Sequence, residues 1–132
     1  MLEVIVVNDP MIGPVTHSII YVSDPESPGS FIKIDFSPSS EQTNARRVAQ
    51  EMVSMLAWPV RGKGNLERGF RRPYSNITQE ISVSESVVRD FLQRVDSENH
   101  RARWNWYQAY TNNCQDHTRI MLGHLEAAIA AG

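Results

Sequence analysis

Short alternating runs of apolar residues give way, along this chain, to apolar stripes at helical spacing. Leu2 to Val7 is a short β-type run, and Asn8-Asp9-Pro10-Met11-Ile12-Gly13-Pro14 is a turn-rich break. Val15 to Val22 reads as a strand with Val15, His17, Ile19 and Tyr21 on one face. Ser23 to Ser30, with two prolines and a glycine, reads as a hairpin loop. Phe31 to Phe36 is the returning strand, with Phe31, Lys33 and Asp35 on one face and Ile32, Ile34 and Phe36 on the other. A helix capped by Ser39 or Ser40 is predicted to about Ala57, carried by Val48, Met52, Met55 and Leu56 and stopped by Trp58-Pro59. Arg61 to Pro73 is Gly/Arg-rich and predicts a loop. Tyr74 to Val83 contains a strand with Ile77, Ile81 and Val83 facing one way. Ser82-Val83-Ser84-Glu85 is a capping-box pattern, followed by a helix to about Val95 with the stripe Val87, Val88, Phe91, Leu92 and Val95. Asp96 to Arg103 is polar. Trp104 to Thr111 is aromatic and reads as a strand or an extended approach to a last helix, Cys114 to about Ala130.

This order of elements predicts an α+β fold over residues 1–132 as a single domain, an antiparallel sheet packed with helices. Composition agrees with that picture, at 41% hydrophobic and 21% charged residues. No apolar run approaches the ~18 residues of a membrane span. Leu2 to Val7 is too short, and lacks the basic flank, of an export signal. The expected location is therefore cytoplasmic, or secreted and delivered without a signal peptide. A net charge of −2 argues against nucleic-acid binding as the main activity, which needs a concentrated cationic surface. One cysteine forms no internal disulfide and no thiolate zinc site unaided. His17, His100, His117 and His124 form no metal-binding helix motif, and His117 and His124 stand about 10.5 Å apart along a helix axis. Neither a metal nor a cofactor is expected.

The candidate chemistry lies at Cys114, in the stretch Asn112-Asn113-Cys114-Gln115-Asp116-His117. Asn112 or Asn113 can cap the helix, which puts the thiol in its first turn, where the backbone N–H groups and macrodipole favour thiolate. Asn113 and the backbone N–H of Cys114 are the candidates for an oxyanion site. The competing reading is a small, buried, inert cysteine. His17 is the candidate base. Pairing Tyr21 with Phe31 sets Ile19 opposite Lys33 and His17 opposite Asp35, so that Asp35 orients the ring. Singly, His17 also reads as a structural strand histidine and Asp35 as a solvated carboxylate. His117, one turn after Cys114, is expected to support the site or pack behind it, and His124 to be structural or solvated. Arg61, Lys63, Arg68, Arg71 and Arg72 read either as a solvated loop or as a surface for an anionic partner. Trp104, Trp106, Tyr107 and Tyr110 read either as core or as a substrate groove.

Thr16-His17-Ser18-Ile19-Ile20-Tyr21 near one end and Asn113-Cys114-Gln115-Asp116-His117 near the other resemble the circularly permuted NlpC-type papain-like superfamily, which includes the PPPDE group and lecithin retinol acyltransferase-like proteins. In that group the histidine strand precedes the cysteine helix, as here. The resemblance covers about half the chain. It implies Cys114 as nucleophile, His17 as base and Asp35 as the orienting residue of a thiol hydrolase acting on a peptide, isopeptide or peptidoglycan bond. It is also compatible with the toxic domain of a secreted bacterial effector, which would have an immunity or regulatory protein as partner. A lipid acyltransferase or phospholipase, and a non-catalytic binding module on the same fold, are the alternatives. Residues 39–103 match nothing in that family.

Overall fold

The computed structural model describes residues 1–10, 16–38, 60–108 and 112–132. The helix predicted from Ser39 or Ser40 to Ala57 lies outside them. Six antiparallel strands form one sheet: β1 (Leu2–Pro10), β2 (Thr16–Ser23), β3 (Phe31–Pro38), β4 (Val60–Phe70), β5 (Ile77–Val83) and β6 (Trp106–Tyr107), in the spatial order β5-β1-β2-β3-β4-β6. Two helices, α1 (Glu85–Asn99) and α2 (Cys114–Ala131), are described, with a 3₁₀ turn at Ala102–Asn105 before β6. The predicted α+β class, an antiparallel sheet packed with helices, is what the chain adopts.

The alternation read from the sequence decides which side the helices cover. Val4, Val6, Ile20, Val22, Ile32 and Ile34 form one buried layer, and Val87, Val88, Phe91 and Val95 of α1 with Met121, Leu125 and Ala128 of α2 pack onto it. Burying each such side chain favours folding by about 1.5–3 kcal/mol. The opposite face holds a smaller cluster of Ile5, Val7 and Phe31, edged by Tyr21, Phe70 and Ile77. Ile77 was expected to share a face with Ile81 and Val83. The ladder instead steps from Gln79 opposite Val6 to Ile77 opposite Val7, leaving Thr78 as an extra residue. Such a bulge reverses which face the next side chain takes, so Ile77 joins the far cluster.

Three other expectations change. The break read at Asn8 is strand as far as Pro10, because Asn8, Asp9 and Pro10 pair with Ser18, His17 and Thr16. The helix cap is Ser84, which accepts from the Val87 N–H, rather than Ser82. Ser82 and Val83 are still paired with Glu3 and Leu2 of β1, so the helix starts only after them, and it continues to Asn99.

The largest correction is β4. The Gly/Arg-rich stretch is a strand because it pairs along β3 from Phe31–Phe70 to Pro38–Gly62. The glycines that suggested a loop serve close approach instead. A Cβ on Gly62 would sit 2.7 Å from the Phe36 ring, and one on Gly64 would overlap the Asn99 side chain. The basic residues are also largely engaged at the strand and the turn after it. Arg68 bonds the buried Asp24 at 2.7 Å, Arg72 reaches Glu3 and Glu80, and the Arg61 guanidinium lies over Trp106. Gly62→Ala is expected to destabilise the fold by about 1–3 kcal/mol, because Phe36 is fully enclosed and must shift. Urea unfolding measures this, and an unchanged midpoint would show that the ring has room to move.

Candidate active site

The β2–β3 pairing ends at Ile19–Asp35, whereas β3 continues along β4 to Pro38. The two strands therefore part beyond Asp35. The first turn of α2 enters at this opening, and the backbone N–H of Ser18 donates to Cys114 Sγ at 3.5 Å instead of to a neighbouring strand. The helix start is held by a capping box: Asn113 Oδ1 accepts from the Asp116 N–H at 3.0 Å, and Asp116 Oδ2 accepts from the Asn113 N–H at 3.0 Å. A cap of this kind stabilises a helix by about 0.5–2 kcal/mol. The carboxamide oxygen of Asn113 thus holds the helix that carries the thiol.

His17 and Asp35 meet, although by a different register from the one expected. Ile19 lies opposite Asp35 and Tyr21 opposite Lys33, a shift of two residues, and His17 pairs across β1 with Asp9. An even shift keeps every side chain on its face. His17 therefore reaches Asp35 diagonally, with Nε2 donating to Asp35 Oδ2 at 2.9 Å. The other ring nitrogen, Nδ1, is left for the thiol, and the imidazole and Cys114 are near enough to shift each other's protonation. Cys114, His17 and Asp35 are thus brought together.

The charges of this set reinforce each other. Burial pulls the His17 imidazole down, but the hydrogen bonds to Asp35 and Cys114 and their negative charges outweigh it and raise it to about 9. Burial pushes the Cys114 thiol up, and the hydrogen bonds from His17, from the Ser18 N–H and from Tyr107 bring it below its ordinary value. Burial likewise acts to raise Asp35, and His17, Lys33 and Asn65 hold it low. These shifts all act toward a thiolate beside an imidazolium, with a carboxylate behind.

Two further residues belong to this arrangement. Asn65 lies opposite Asp35 on β4, and its Nδ2 donates to Asp35 Oδ1 at 2.9 Å and to Ser37 Oγ at 3.1 Å, which fixes the carboxylate plane. Only a reading of Val60–Phe70 as a strand beside β3 would have found it. Tyr107, expected in a core or a groove, is buried in one cluster with Cys114, and its phenol helps to lower the thiol. Burial and the neighbouring thiolate raise its phenol, so it stays a protonated donor.

The remaining candidates form a packing layer behind the site. His117 is fully enclosed, bonded through Nε2 to Asn99 Oδ1 at 2.7 Å, stacked on Phe36 and edge-on to Trp104. Burial pulls it down to about 4, so it is neutral at pH 7. His124 pairs at 2.8 Å with Glu98, a buried carboxylate that also accepts from Trp104 Nε1. Trp104 is core and Trp106 is about half exposed. Among the described residues no three His, Cys, Asp or Glu side chains cluster as a metal site would require. Neither a protein-family model, nor a curated protein, nor a solved structure matches this chain.

Proposed function

We propose that the chain is a thiol hydrolase of amide or acyl bonds, on a permuted papain-like arrangement in which the histidine strand precedes the cysteine helix. The observation that supports it is the meeting of Cys114, held by the Ser18 N–H, with the hydrogen-bonded pair His17–Asp35, the base raised and the thiol lowered. Cys114 Sγ attacks the carbonyl carbon, and a C–S bond forms as the carbonyl oxygen takes the negative charge. Tyr107, packed beside Cys114 and kept protonated by its burial, is the donor for that oxyanion. The C–N bond then breaks and the amine leaves with the proton from His17. Water gives a proton back to His17, attacks the thioester and releases the acid. Asp35 and Asn65 keep the ring in one tautomer and orientation throughout.

An amide, in a peptide, isopeptide or peptidoglycan crosslink, suits the site better than a lipid ester. The lipid reading calls for a long apolar surface at 104–110, and of the aromatic residues described there Trp104 and Tyr107 are buried and only Trp106 is half exposed. A chain of this size also suits the toxic domain of a delivered effector with an immunity protein as partner. No described helix is long and apolar enough to cross a membrane.

One observation favours a non-catalytic module: Cys114 is 2% exposed. Iodoacetamide labelling across pH separates the readings. Alkylation of Cys114 well below pH 8 is expected. Labelling only around the ordinary thiol value of about 8.5 would leave the module as the better account. Mass spectrometry of products from peptidoglycan, isopeptide-linked conjugates and phospholipid then identifies the bond cut.

A further inference from the structure

A groove of about 650 Å³ lies beside the candidate site, between α2 and strands β1 and β5. That volume is in the range of ligand sites. Its inner end is marked by Ser18, whose N–H holds the Cys114 sulfur, and by Gln115, the next residue on the helix. Its walls are mixed, polar and apolar in like measure. Asn8 and Gln79 bring carboxamides from the sheet, and Arg119 and Glu126 bring opposite charges from α2. Leu122 is a partly buried apolar side chain on the helix wall.

Two observations mark this groove as built for a ligand. Thr118, one helical turn beyond Cys114, is 5% exposed and lines it, yet its hydroxyl has no hydrogen-bond partner. A buried unpaired hydroxyl is costly, and a helical threonine has a second rotamer that exchanges its hydroxyl and methyl. Gly123 stands in the middle of α2, where glycine disfavours a helix by about 1 kcal/mol relative to alanine. A Cβ there would meet nothing within 4 Å, so core packing does not require the glycine, and the groove is open beside it.

We propose that this groove binds an extended peptide segment of the acyl donor, which makes the substrate peptidic rather than lipidic; the assignment rests on Cys114 being the nucleophile. A peptide group carries one donor and one acceptor, and so does each carboxamide of the groove. A fatty chain would leave those carboxamides desolvated and unpaired.

The test uses two chloromethyl ketones of equal reach, one on a tetrapeptide and one on a decanoyl chain, on the full chain. In each, Cys114 Sγ displaces chloride and a thioether forms. The tetrapeptide reagent is expected to label about tenfold faster than the decanoyl one, the worth of roughly two net hydrogen bonds. Gly123→Phe fills the groove from an open position and should remove that preference, with iodoacetamide labelling at pH 6.5 unchanged. Thr118→Val should slow the peptide reagent about threefold, the loss of one hydrogen bond. Equal rates for the two reagents, faster decanoyl labelling, or a preference that survives Gly123→Phe would each overturn the groove assignment while leaving the nucleophile in place. Absence of iodoacetamide labelling at pH 6.5 in the unmodified chain would overturn the proposed function, and the groove assignment with it.

Discussion

Cys114→Ala is expected to abolish the proposed acyl transfer and to leave the fold intact. The sulfur is the only group in the proposed site that forms a bond to substrate, so turnover should fall by something like the ~10⁶-fold seen when the nucleophile of a comparable Ser–His set is removed. The structural cost is small. The Ser18 N–H loses a long bond to sulfur, and the capping box of Asn113 and Asp116 does not involve the thiol. Far-UV circular dichroism should be unchanged, and the melting midpoint should move by only a few degrees, as for a ΔΔG of about 1 kcal/mol. Hydrolysis that survives the substitution would remove Cys114 from the chemistry altogether.

Asp35→Asn should have the second largest effect, through the tautomer rather than through contact with substrate. The introduced carboxamide fills the same space, and its oxygen can still accept from Asn65 Nδ2. Its amino group then faces His17 Nε2, which must accept instead of donate. The ring proton moves to Nδ1, the nitrogen that should receive the thiol proton. Loss of the carboxylate also removes the larger part of what outweighs burial at His17, so the imidazole falls from about 9. The thiol, no longer beside an imidazolium, rises toward about 8.5. At pH 7 the rate should drop by about 10²–10⁴-fold. The pH profile carries the signature: the alkaline limb, set by loss of the His17 proton, moves to lower pH, and the midpoint of Cys114 alkylation moves to higher pH. A uniform loss of rate with both limbs in place would mean that Asp35 serves only the fold.

Much of this arrangement was legible in the order of residues. The hairpin and both described helices follow from period-2 and period-3.6 patterns that local physics enforces. Cys114 at a helix start and His17 in a strand are placements of the same local kind. The His17–Asp35 contact was reached through a register two residues off. The loop closes at Asp24–Ser30, so Ser23, not Tyr21, stands opposite Phe31. Parity allowed the right partners to emerge from the wrong pairs. What the pattern could not yield depends on distant chain. Val60–Phe70 is a strand only because β3 lies beside it and Phe36 and Asn99 need its glycines. Asn65 was lost with that strand. The face taken by Ile77 turns on one bulged residue that no periodicity announces.

The distribution of the site along the chain bears on when it comes into being. His17 and Asp35 are 18 residues apart and joined by a hairpin, a contact whose loop is quick to close. Ser18 and Cys114 are 96 apart, and closing that span adds an entropic barrier met only when the sheet and both helices are in place. Before α2 docks, Cys114 is an ordinary thiol and His17 has Asp35 beside it but no thiol. A refolding experiment that samples thiolate reactivity should therefore see it arrive after strand and helix signals, with the burial of Met121 and Leu125. The nascent protein would be chemically silent until its last helix closes over the sheet.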